Sequence, residues 1–119
     1  MPRFTIVHVD HFERPFPKWA LARKSLGITS FGMNVVELAP GESIPEHTEL
    51  PRDQEEVFVT LAGEPTLVID GEGHPAPAGT YARLDPEPLR TVVNESDAPA
   101  TVLIVSAPRS SGYEPPDWA

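Results

Sequence analysis

Cysteine is missing from the sequence altogether, which removes disulfides, thiolate nucleophiles and cysteine-based zinc sites. Basic residues are scarce: nine Lys and Arg stand against eighteen Asp and Glu, for a formal charge of −9. Nucleic-acid binders need clustered Lys and Arg to release counterions, so a phosphate-backbone partner is excluded, and an acidic membrane surface with it. Long apolar runs are lacking too. The longest, VLIV at 102–105, falls far short of a bilayer span. Arg3, Asp10, Glu13 and Arg14 interrupt the N-terminus and leave no signal-peptide core, so a cytoplasmic location is expected. Phosphate loops, dinucleotide fingerprints and nucleophile elbows have no counterpart, and no serine–histidine–acid arrangement has a recognisable placement.

Proline, by contrast, is plentiful. The chain of 119 residues holds fifteen, more than double the usual share of about 5%. Spread as they are, they leave almost no room for an uninterrupted helix, so short strands and turns must build the chain. Candidate strands lie at 4–9, 29–38 (TSFGMNVVEL), 57–61 (VFVTL) and 66–70, then after Gly73, and again in TYARLD, LRTVVN and ATVLIVSAP. The segment FERPFPKWALARK leaves space for one short helical turn, and Asp70-Gly71 suits a type I′ hairpin. Eight or so short strands at nearly regular spacing indicate an all-β sandwich or small barrel in a single domain over 1–119. Residues 1–28 supply an N-terminal strand and arm, 29–107 the barrel, and 108–119 a polar tail anchored by Tyr113 and Trp118.

Chemistry concentrates in GESIPEHTELPRDQEEVFVTLAG, between the turn glycines Gly41 and Gly63. His47 and Glu49 are two apart, so in an extended strand they leave the same face. Glu55-Glu56 opens a strand too apolar to be a solvated charge run, which carries one carboxylate inward; period two turns Glu55 to solvent and Glu56 in. An imidazole and two carboxylates in one concave space suit a divalent cation or a small polar ligand. Phe58 and Thr60 share a face with Glu56, while Val57, Val59 and Leu61 share the other. Both faces are apolar and need covering, by the N-terminal arm, a second sheet or another subunit, and a homodimer is expected.

The spacing resembles the first motif of the cupin superfamily, in which Gly41, His47, Glu56 and Gly63 match and Glu49 stands at the second histidine. Six residues separate Glu49 from Glu56, implying a lengthened hairpin loop. A second cupin motif is met by Gly79, Pro86, Arg90 and Asn94, with Arg90 at the place of the last metal-binding histidine. The segments ARKSLGITSFG and GYEPPDW are similar to a bacterial cupin subgroup. The resemblance implies a double-stranded β-helix, a jelly-roll barrel, whose interior is lined by His47, Glu49, Glu56 and Arg90, with Phe58 and Tyr81 as apolar wall.

Three functions stay open. The first is binding of a small polar or acidic molecule at a degenerate metal site, with Arg90 paired to Glu56 or Glu49 in place of the cation. The second is a metal-dependent enzyme (oxygenase, isomerase or lyase) holding Mn, Fe, Ni or Zn through His47, Glu49 and Glu56, with Arg90 gripping an acidic substrate. The third is a structural or partner-binding dimer.

Overall fold

A computed structural model describes residues 3–119; the first two positions of the expected domain lie outside them. The strands are β1 (Glu13–Phe16), β2 (Trp19–Leu21), β3 (Gly32–Leu38), β4 (Gln54–Ala62), β5 (Thr66–Ile69), β6 (Glu72–Pro75), β7 (Tyr81–Leu84), β8 (Arg90–Val93) and β9 (Ala100–Pro108), with one short helix, α1 (Ala22–Leu26). A six-stranded antiparallel sheet runs β1-β2-β3-β9-β4-β7, and a three-stranded sheet runs β6-β5-β8. The two face each other as a jelly roll.

The strand expected at 4–9 does not form. Residues 4–8 lie in no strand, a 3-10 turn covers Val9–His11, and pairing begins at Glu13. A strand exists only where a neighbour takes up its backbone groups, and Phe4 and Ile6 are 74% and 87% exposed. Elsewhere the turn chemistry acts as read. Asp70 (φ 50°) and Gly71 (φ 81°) both take positive φ between β5 and β6, as a type I′ turn requires. At Gly63 (φ 84°) an added Cβ would lie 2.5 Å from the Pro99 carbonyl oxygen and 2.7 Å from the Ala100 Cα, so only glycine lets these backbones pass.

Register decides which side chains meet. Glu56 stands opposite Ser106 and Leu84, Phe58 opposite Ile104 and Ala82, and Thr60 opposite Val102; Asn34 pairs Ile104, and Val36 pairs Val102. Paired residues share a face, so this inner face runs from a polar end (Gln54, Glu56, Ser106, Asn34) to an apolar one. At the apolar end Val36, Leu38, Phe58, Leu84, Val102 and Ile104 pack on Leu67, Val92, Ile44 and Ala76. The opposite face carries Met33, Val35, Val57, Val59, Tyr81, Leu103 and Val105 by the same pairing.

Candidate functional site

After the turn at Gly41 the chain runs antiparallel to β8, with bridges between Ser43 and Val93 and between His47 and Arg90. The His47 N–H donates to the Arg90 carbonyl (3.0 Å) and the Arg90 N–H to the His47 carbonyl (2.9 Å). Glu49 is held by its own N–H on the Pro86 carbonyl, 3.0 Å away. The lengthened loop is absorbed by a 3-10 turn over Leu50–Arg52 and by Asp53 in the left-handed region (φ 49°). The Gln54 N–H then donates back to the Glu49 carbonyl at 3.2 Å. β4 therefore starts with Gln54 and Glu56 turned inward, beneath His47 and Glu49.

The His47 Nδ1 lies 2.9 Å from the Pro45 carbonyl oxygen. A carbonyl oxygen only accepts, so Nδ1 carries a proton and donates it there. That directs Nε2 at the carboxylates: 3.0 Å from Glu49 Oε2 and 3.9 Å from Glu56 Oε1. Two lone pairs do not approach to 3.0 Å unaided. A proton or a cation must be shared between the imidazole and Glu49. The cavity over this cluster, about 210 Å³, is lined by Trp19, Met33, Asn34, Ile44, His47, Glu49, Arg52, Gln54, Glu56, Ile104 and Ser106.

Arg90 is fully buried beneath the cluster. Its Nη1 donates to Glu56 Oε1 (3.0 Å), its Nε to the Pro88 carbonyl (3.0 Å) and its Nη2 to the Asp85 carbonyl. Burial pushes the Glu56 carboxyl above its ordinary range, and the Glu49 charge pushes the same way. The hydrogen bond and charge of Arg90, with a smaller contribution from His47, oppose this without cancelling it. Glu56 thus keeps its proton to higher pH than an ordinary glutamate does.

The structure brings His47, Glu49 and Glu56 together, while three expected lining residues lie elsewhere. Arg90 does not reach the cavity surface, because all three of its nitrogens are taken up inside the protein. Phe58 shares the face of Glu56 but lies deeper, in the apolar core and against Thr60, Leu67 and Val92. Tyr81 is 74% exposed on the outer face, since its register partner is Val59 and the inward positions of β7 are Ala82 and Leu84. The apolar wall comes instead from Trp19, Ile44 and Ile104, and the polar wall from Asn34, Gln54 and Ser106. Parity held a signal for the last three: Asn34 is in step with Val36 and Leu38, Gln54 with Glu56, and Ser106 with Ile104. Glu55 faces out to Arg83, and His8, His11 and His74 are exposed and take no part.

The donor set passes a test for a divalent ion. Ligand atoms about 2.1 Å from one ion lie roughly 3 to 4 Å apart, and ligand atoms of His47, Glu49 and Glu56 all lie within 4.8 Å of one another. One nitrogen and two carboxylate oxygens suit Mn, Fe or Zn. Against this, Arg90 already occupies the Glu56 oxygen nearest His47. At an effective dielectric of 20, a divalent ion 4 Å from a guanidinium is repelled by about 8 kcal/mol, and each carboxylate at that range returns about as much. The guanidinium offsets one of the two carboxylates.

A jelly roll whose polar end gathers a histidine and two glutamates defines the class. The chain belongs to the cupin family, whose domain model matches residues 34–106. It is similar to a cupin protein from Bacteroides fragilis at 23% identity, with a TM-score of 0.82 and coverage of 99% of this chain and 94% of that one. A sugar phosphate isomerase from a cupin superfamily, from Silicibacter pomeroyi, is 25% identical at a TM-score of 0.73, covering 87% of this chain and 75% of the other. A predicted oxalate decarboxylase from Thermotoga maritima is 20% identical at a TM-score of 0.63, with 75% and 76% covered. Comparison with curated proteins finds no match. No helix among the described residues is long and apolar enough to cross a membrane.

Proposed function

We propose that this cupin binds a small polar or acidic molecule in the cavity over His47, Glu49 and Glu56, without a firmly held metal. The observation that carries this reading is the 3.0 Å approach of His47 Nε2 to Glu49 Oε2, beside a Glu56 already paired with Arg90. A shared proton there presents a donor and an acceptor side by side, which is what a hydroxyl group of a ligand needs. Trp19, Ile44 and Ile104 supply an apolar wall against which the carbon skeleton packs. Ligand-induced stabilisation tests this directly. Members of an acid and sugar panel should raise Tm of the wild type and fail with His47→Ala or Glu49→Gln; a panel without effect would sink the reading.

The ligand spacing also favours a second reading, a metal-dependent enzyme acting as an oxygenase, isomerase or lyase. His47, Glu49 and Glu56 would hold the ion, which when bound would polarise an oxygen of the substrate. Support comes from the names of the isomerase and decarboxylase relatives, and an isomerase fits a raised Glu56 carboxyl able to pass a proton. Elemental analysis of protein purified without tag or chelator separates the two. Near-stoichiometric Mn, Fe, Ni or Zn, lost on His47→Ala, overturns the metal-free reading.

A second copy of the chain covers the outer sheet face in this account, giving a cytoplasmic homodimer. Leu61 and Tyr81 lie exposed on that face, next to β7, which has no strand on its far side. The arm at 4–8, with Phe4 and Ile6 exposed, offers the extended segment to pair there. Light scattering on the wild type and on Tyr81→Lys should give a dimer and a monomer; a wild-type monomer at micromolar concentration rejects the dimer.

A further inference from the structure

Alongside the His47 cavity lies a larger one of about 400 Å³. The two share Met33, Asn34, Arg52, Gln54 and Ser106, so they are inner and outer chambers of one depression. Charge divides between them. The inner chamber holds Glu49 and Glu56; the outer is lined by Arg23 and Arg52 and by no carboxylate at all. In a chain with eighteen acidic and nine basic residues, this is the reverse of what composition predicts.

Among the described residues the two arginines also lack an acidic partner, as do Arg3 and Lys18, which lie outside this depression. Arg14 is paired with Glu37, Lys24 with Glu13, Arg83 with Glu55 and Asp85, Arg90 with Glu56, and Arg109 with Asp53 and Glu87. Among the described residues Arg23 and Arg52 have no carboxylate within the 4.0 Å that defines an ion pair. Arg23 Nη1 is steadied on the Ile28 carbonyl at 3.0 Å, just past the α1 terminus. Arg52 closes the 3-10 turn between Glu49 and β4, at the junction of the chambers. Arg90 cannot serve an anionic ligand, because it is fully buried and each of its nitrogens is engaged inside the protein.

We propose that Arg23 and Arg52 form an anion subsite that receives the phosphate or carboxylate of the ligand while its hydroxylated end reaches His47 and Glu49. Asn34 and Gln54 line both chambers, and Ser30 the outer one, with further hydrogen-bonding groups. The inference rests on the small-molecule reading above and narrows its ligand to a hydroxylated compound with one anionic end. Guanidinium donors set in a concave wall bind oxyanions through charge-assisted pairs, each weakened about tenfold or more in affinity when lost.

The test uses three matched probes at constant ionic strength: glycerol 3-phosphate, glycerate and glycerol. Calorimetric titration and Tm are measured for wild type, Arg23→Gln, Arg52→Gln, the double variant, His47→Ala, and Arg14→Gln as a charge-matched control outside the cavity. The proposal expects one or both anions to bind the wild type and Arg14→Gln more tightly than glycerol. Affinity should fall about tenfold in each single variant and vanish in the double. Preference for glycerol 3-phosphate or for glycerate assigns the anion as phosphate or carboxylate. Anion binding that survives the double variant, or that falls equally in Arg14→Gln, overturns the subsite, as does a wild type that binds neither anion. Loss on His47→Ala with indifference to both cavity arginines leaves the inner pocket standing and removes the subsite alone. Indifference to all three substitutions removes both.

Discussion

Replacing Arg90 by methionine removes the one cation beneath the Glu56 carboxylate while keeping most of the side-chain volume. Glu56 is buried and its Oε1 accepts from Arg90 Nη1 at 3.0 Å, so the variant strands a carboxylate and also leaves the Pro88 and Asp85 carbonyls without that donor. Breaking a buried pair from one side costs about 3 to 5 kcal/mol, against a total stability on the order of 5 to 15 kcal/mol. For 119 residues, an unfolding entropy of about 2.1 cal/mol/K per residue turns each kcal/mol into roughly 4 °C, hence a Tm lower by about 12 to 20 °C. The loss must also depend on pH. Arg90 holds the Glu56 carboxyl down, so its removal raises a carboxyl that burial has already raised above 4.5. The protonated form needs no cation, so the destabilisation shrinks in mild acid and is largest at pH 7 to 8. Urea unfolding of wild type, Arg90→Met, Glu56→Gln and the double variant at pH 5 and pH 7.5 measures both the size and the coupling. A loss below about 1 kcal/mol, or one equal at the two pH values, would refute the account of Arg90 as an internal counter-ion.

Further expectations concern the groups around it. In wild type the folded Glu56 binds its proton more tightly than the unfolded chain does. Its contribution is therefore fully present below about 4.5 and is lost as pH rises through the folded value. The wild-type minus Glu56→Gln difference in unfolding free energy should fall over that window, and a flat difference contradicts the raised carboxyl. Gly63→Ala drives a Cβ to within 2.5 Å of the Pro99 carbonyl oxygen at φ 84°, and is expected to cost about 2 to 4 kcal/mol in chemical denaturation; a near-neutral result contradicts the close crossing. Asn94 Nδ2 donates to the Leu38 and Ala98 carbonyls at 2.9 and 2.8 Å, and its Oδ1 accepts from Ser96. Asn94→Ala should cost about 2 to 3 kcal/mol without changing ligand affinity, and a selective loss of binding would instead place Asn94 in the site.

The strands from β3 onward were legible because local rules govern them, and cupin membership because the Gly41 to Gly63 spacing resembles a known motif. Proline spacing forbade long helices, short apolar runs bounded by turn residues marked β3, β4 and β9, and the turn chemistry of Asp70-Gly71 is met by positive φ at both residues. Residues 4–8 show the limit of that reasoning, since strand-like composition forms no strand without a neighbouring backbone. His47, Glu49 and Glu56 could be singled out from spacing and parity within short segments, where side-chain direction repeats every two residues.

Sequence by itself, then, determined the strands from β3 onward, which direction Glu56 takes, and that an imidazole and carboxylates are available. Tertiary structure alone decided the rest. Register between β4 and β7 sent Tyr81 outward; the backbone bridge between His47 and Arg90 set the arginine beneath the cluster rather than in the cavity; and the placement of α1 and the loop at 50–53 brought Arg23 and Arg52 to the same cavity. The physical reason is that side-chain direction along a strand is local, whereas register and charge pairing depend on residues dozens of positions apart. Glu56 and Arg90, for instance, are separated by 34 positions and meet only when both sheets have closed over the core.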